Sequence, residues 1–139
     1  MVYIVAEKLY GSDKVATSNG TVWRDDKGII RYSVRDGAVE KLENAKEMIA
    51  AIKNLTGDAK HSTLIDIRKL KSTDKETRDY YASDEVRDAA NGGACAILVS
   101  SPVTSMIGNM FIRVNKPSYP VKMFYSELKA VEWLKEIDE

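Results

Sequence analysis

The sequence predicts an α/β fold: a single mixed sheet that opens with an antiparallel hairpin and continues as strand–helix units. Three observations predict it. Apolar residues alternate at period two across Ile30, Tyr32 and Val34, then recur at spacings of three and four from Leu42 to Leu55. In Thr63–Ile67 the apolar pair Leu64-Ile65 meets Asp66 and then Ile67, and Ala94–Val99 is apolar throughout, as strands covered on both faces are. Each of these runs leads into a capped helical stretch, the pattern of parallel strands joined by right-handed crossovers.

The elements follow in order. Val2–Ala6 is apolar and β-branched enough for a strand, and the polar stretch Gly11–Gly20 reads as largely loop. Thr21–Arg24 and Ile29–Arg35 flank Asp25-Asp26-Lys27-Gly28, a hairpin signal. Leu42, Ala45, Met48, Ile49, Ile52 and Leu55 form one stripe of an amphipathic helix, with Gly57 as its C-cap and no good N-cap residue within Gly37–Lys41. In the strand Thr63–Ile67, Asp66 falls near the carboxyl end, close to buried, with Arg68 just beyond. Thr73 and Glu76 fit a capping box for a helix running toward Ala82. Ser83 caps a second short helix, stopped by Gly92-Gly93. After the strand Ala94–Val99, Ser101 caps a helix with Pro102 at its first position, carrying Val103, Met106, Ile107, Met110, Phe111 and Val114. Val121–Phe124 is a strand. Ser126 caps a last helix with Leu128, Val131, Leu134 and Ile137 facing inward.

Composition narrows the function classes. The chain has 139 residues, 44% hydrophobic, enough for the core of one domain. Lys and Arg number 21, Asp and Glu 21. This balance argues against a general nucleic-acid binder, which relies on a basic field. No apolar run is long enough to span a bilayer. One cysteine, Cys95, and one histidine, His61, offer neither an internal disulfide nor a metal-ligand pair. A reducing, cytoplasmic setting is the simplest expectation, with no cofactor and no metal.

The order of elements resembles the SpoIIAA-like group of small bacterial proteins, related to STAS domains and described as STAS/Sec14-like. The resemblance runs from about Thr21 to the C-terminus and leaves residues 1–20 as an addition. It is carried by L-I-D-I-R-K-L at Leu64–Leu70, R-D-Y-Y-A-S at Arg78–Ser83, S-P-V-T-S-M-I-G-N-M-F at Ser101–Phe111, N-K-P-S-Y-P-V-K-M-F at Asn115–Phe124 and E-L-K-A-V-E-W-L at Glu127–Leu134. The resemblance implies a non-enzymatic regulatory or protein-interaction module. The alternative it implies is a binder of a small apolar or lipid-like ligand in a Sec14-like pocket. Antagonist proteins of the group are switched by phosphorylation of a Ser in a D-S-S-G-like turn. Aligning strand with strand puts Asp74-Lys75-Glu76 against D-S-S, so the Asp is kept and the phosphorylatable Ser is missing.

No residue set reads as catalytic. Ser100-Ser101-Pro102 is not a nucleophile elbow, and Asn91-Gly92-Gly93 precedes a strand rather than opening a phosphate-binding helix. The expected partner surface is Asp66, Arg68, Asp74, Lys75 and Glu76. For Asp66 the preferred role is structural, bonded to backbone amides or a basic side chain. Met106, Gly108 and Met110 are the expected lining of an apolar pocket, weighed against plain core packing. Packing is the preferred role for Cys95 and for Tyr80-Tyr81, and a solvated loop position for His61. The partner is an unnamed protein or a small apolar ligand; a homo-oligomer is compatible with either.

Overall fold

The computed structural model describes residues 14–138. The expected strand Val2–Ala6 lies outside them. The main sheet has the order β1-β2-β3-β5-β7-β8, from β1 (Val15–Ala16), β2 (Gly20–Arg24), β3 (Ile30–Val34), β5 (Thr63–Asp66), β7 (Cys95–Leu98) and β8 (Val121–Phe124). β1, β2 and β3 pair antiparallel; β3-β5, β5-β7 and β7-β8 pair parallel. The mixed sheet and its hairpin are as the periodicity predicts. The hairpin turn is closed by Asp25, whose carboxylate accepts the Lys27 and Ile29 amides.

Two short strands escape the sequence reading. β4 (Ala38–Glu40) and β6 (Leu70–Thr73) pair parallel as a separate ladder, Glu40 opposite Thr73. Their runs of three and four residues are too short to show a period. β1 likewise sits inside the stretch read as loop. Thr73 is therefore a strand end rather than a helix cap, its hydroxyl donating to the Glu40 carbonyl. The cap of α2 (Lys75–Tyr81) is Asp74, which accepts the Thr77 amide.

Helix α1 (Leu42–Thr56) begins at Lys41 without a conventional N-cap; the Asn44 side chain reaches back to the Lys41 amide. It ends on Gly57 at φ 59°, a conformation that favours glycine. α3 (Asp84–Ala90) is capped by Ser83, and α4 (Pro102–Met110) by Ser101 with Pro102 in its first turn. α4 then widens into a π-helical turn over Phe111–Asn115, released by Lys116 at φ 50°. α5 (Glu127–Ile137) is capped by Ser126.

The strands sort side chains between two layers. On one face Tyr32, Ile65 and Ile97 pack toward α1 and the helices α2–α4; on the other, Leu64, Ala96 and Leu98 pack against Ala130, Val131 and Leu134 of α5. Two helical stripes are narrower than their spacing suggests. In α5, Leu128 is 69% exposed and Ile137 is exposed as well. In α4 and its π-helical turn the buried residues are Thr104, Gly108 and Phe111, while Val103, Met106 and Val114 face outward. A single helix on one edge of a sheet covers only part of its own circumference.

No helix among the described residues is long and apolar enough to cross a membrane.

Candidate functional site

The parallel register sets the concave face of the site. Tyr32 of β3, Ile65 of β5 and Ile97 of β7 align across three strands, and Thr63 and Cys95 align one row away. Above these rows the helices do not close completely. A cavity of about 120 Å³ remains between the sheet and its helical cover. Met48, Ile49 and Ile52 of α1 form its roof, Val86 and Ala89 of α3 one side, and Gly108 and Phe111 the other. The β4–β6 ladder contributes Glu40, Leu70 and Thr73. This explains why β5 is less buried than its composition predicts: Thr63 and Ile65 are only half-buried because they border the cavity. β7 is buried throughout, as expected.

One buried carboxylate sits in this apolar wall. Glu40 is 4% exposed. Its Oε1 accepts from Asn19 Nδ2 at 2.8 Å and from the Tyr32 hydroxyl at 3.1 Å; its Oε2 accepts from the Tyr81 hydroxyl at 2.6 Å. Among the described residues Glu40 forms no ion pair. Burial, and then the Glu40 carboxylate, hold both phenols well above their usual pKa, so Tyr32 and Tyr81 stay neutral donors. Tyr119 extends the cluster by donating to the Tyr81 carbonyl. Sequence reasoning missed Glu40 because β4 carries no legible period, and nothing in Ala38-Val39-Glu40 announces a buried acid.

His61 also lines the cavity, so the solvated loop position expected for it is corrected. It is 8% exposed, with Nδ1 at 3.2 Å from the Ala59 carbonyl. Asp58–Lys60 are exposed, but the chain turns inward at His61, whose amide bonds to the Ala90 carbonyl at the end of α3. Burial holds the imidazole below its usual pKa. The unfolded chain then binds more protons than the folded one from about pH 6.5 downward, so stability falls as pH drops through the folded-state pKa. His61→Gln should remove this share. Denaturant titrations between about pH 7.5 and about pH 5.5 should show wild type losing more stability than the variant. Parallel losses contradict the burial. Cys95 on the same wall is buried, its thiol pushed up to about 11 by that burial, and it packs as a small hydrophobe.

The other expected site residues fall in different places. Of the apolar trio only Gly108 borders the cavity. A side chain there would meet Met123 Sδ at 2.8 Å, so glycine lets α4 lie close to β8. Met106, 57% exposed, and Met110 line a shallow outer groove with Pro102 and Val114.

The five expected partner-surface charges divide between the two layers. Asp66 is largely buried, its side chain 18% exposed. It takes the Arg68 amide at 3.0 Å and its guanidinium at 2.7 Å, the structural role preferred for it. Glu127 at the start of α5 then bridges Arg68 and Arg31, and Arg31 also pairs with Asp25. This chain of charges ties the hairpin and β5 to α5. On the opposite layer Asp74 caps α2 and pairs with Lys41, and Lys75 pairs with Asp79. Glu76 is exposed on the first turn of α2.

Fold and cavity together define a SpoIIAA-like α/β protein with an apolar chamber beneath its helices. The chain belongs to the family of the domain of unknown function DUF7793, whose model matches residues 22–138. Among solved structures it is similar to an uncharacterised protein of the DUF3478 family with a SpoIIAA-like fold from Shewanella loihica PV-4. The TM-score is 0.54 and the identity 17%, over 86% of this chain and 98% of that one. It is also similar to a protein of unknown function from Arthrobacter sp. FB24, with 28% identity over 86% of this chain and 95% of that one and a TM-score of 0.34. Comparison with curated proteins gives no match. The SpoIIAA-like resemblance seen in the sequence thus holds at the level of the fold.

Proposed function

We propose that this domain is a non-catalytic binding module that holds a small apolar ligand in the chamber between its sheet and its helices. The observation that carries this is the cavity of about 120 Å³, walled by Ile, Met, Val and Phe side chains from β5, β7, α1, α3 and the π-helical turn. Protein interiors pack to the density of organic crystals, and voids of this size are few. An apolar cavity of about 150 Å³ is enough to take up benzene. Pockets with mostly apolar walls and a few convergent polar groups are the usual form of small-molecule sites.

A protein-interaction role through Asp66, Arg68, Asp74, Lys75 and Glu76 has less support. Four of these charges are engaged within the chain and they lie on two layers.

The test is a thermal-shift panel of small hydrocarbons on the full chain and on two variants. Cys95→Ile adds volume to the cavity floor; Met110→Trp changes only the outer groove. Wild type and Met110→Trp should both be stabilised by a ring-sized hydrocarbon, and Cys95→Ile should not be. At a ligand concentration of 100 times Kd the gain is about 2.7 kcal/mol. Equal responses from all three proteins, or none from wild type, contradict the reading.

A further inference from the structure

We propose that the ligand is a small apolar amine, its ammonium group received by Glu40 and its hydrocarbon body by the Met48, Ile52 and Ile97 wall. This deepens the cavity reading and rests on it. Glu40 is a buried carboxylate on the wall of an apolar chamber, and among the described residues it has no ion-pair partner. Burying such a charge is costly unless it is both hydrogen-bonded and paired. The fold supplies the hydrogen bonds and leaves the charge unpaired. An ionised carboxylate offers about four lone-pair positions. Oε1 uses two, for Asn19 and Tyr32, and Oε2 uses one, for Tyr81. A further donor on Oε2 therefore fits, and a cationic donor would supply the missing countercharge. Charge-assisted hydrogen bonds of this kind are about twice as strong as neutral ones.

Among the described residues Arg78 is the one Lys or Arg side chain on the cavity wall. Its guanidinium Nε is committed to Asn115 Oδ1 at 3.2 Å, and it forms no ion pair with Glu40. It makes a carboxylate-bearing ligand the natural competitor, so the experiment includes one.

Cyclohexylamine, methylcyclohexane and cyclohexanecarboxylate present the same ring with a positive, neutral or negative group. Their affinities are measured on the full chain and on Glu40→Gln, which keeps the side chain's size and one acceptor oxygen but carries no charge. Cyclohexylamine should bind wild type tighter than methylcyclohexane by roughly tenfold or more, and Glu40→Gln should lose that preference while keeping the hydrocarbon. If methylcyclohexane binds as tightly as the amine, or if cyclohexanecarboxylate binds tightest, the amine assignment is overturned while the apolar cavity stands. If none of the three binds wild type, both fall. Should Glu40→Gln fail to fold by circular dichroism, the ranking on wild type decides alone.

Discussion

Gly93→Ala should cost at least about 3 kcal/mol and leave little folded protein at physiological temperature. A Cβ on Gly93 would sit 1.6 Å from the His61 carbonyl oxygen and 2.5 Å from its carbon. Both are backbone atoms, so no rotamer change relieves the clash. This point is where β5 and β7 begin to pair: the Thr63 amide bonds to the Ala94 carbonyl at 2.9 Å, and the Ala94 amide to Ser62 Oγ at 3.1 Å. Making room means parting the two central strands and opening the cavity floor. A typical domain has only about 5–15 kcal/mol of total stability to lose. The neighbouring glycine is the control. Gly92 has φ 91° but open space around it, so Gly92→Ala carries only the backbone strain, about 1–2 kcal/mol. Denaturant titration of the two variants side by side checks the difference, and a Gly93→Ala variant no worse than Gly92→Ala contradicts the close approach.

Glu40→Ala should be the second severe change, about 3 kcal/mol or more, although it removes no large apolar group. It strips the acceptor from the Tyr32 and Tyr81 hydroxyls and from one bond of Asn19 Nδ2. Tyr32 is almost wholly buried, so its hydroxyl has no easy route to water. Each stranded buried donor costs about 1–3 kcal/mol. Asn19 keeps its bond to the Val39 carbonyl at 2.8 Å and suffers least. Glu40→Gln retains an acceptor and a polar group of the same size and should cost less than half as much. A double-mutant cycle with Tyr81→Phe measures the coupling directly. Additive effects of Glu40→Ala and Tyr81→Phe would show that the pair does not act together.

Much of the architecture is legible in the sequence because it rests on long periods. The stripe from Leu42 to Leu55 spans four turns, and Ala94–Val99 has no polar interruption. The Ser83, Ser101 and Ser126 caps read directly because an N-cap is a local bond between a side chain and an amide nearby in sequence. The cavity was not legible, for a different reason. It is a remainder, the space left when side chains from β3, β5, β7 and four helices fail to meet, and no single segment encodes it. By residue type Met106 and Met110 read as a pocket lining, but only the rotation of α4 about its axis decides which side faces inward, and Thr104 and Gly108 take that side. Glu40 lies in a three-residue strand, and its partners sit on other elements: Tyr32 is 8 residues away, Asn19 21 and Tyr81 41. Asp66 was the opposite case. Its partner Arg68 is two residues away, so the pairing could be weighed from sequence alone.

The chamber is the centre of this account, and xenon tests it most directly. Xenon is apolar, near-spherical and enters dry apolar cavities of this size. A crystal of the full chain held under xenon pressure should show an anomalous scattering peak bounded by Met48, Ile65 and Ile97, and a crystal of Cys95→Ile should show it weakened or gone. Side chains closed over that space, with no xenon between the sheet and α1, would contradict the account.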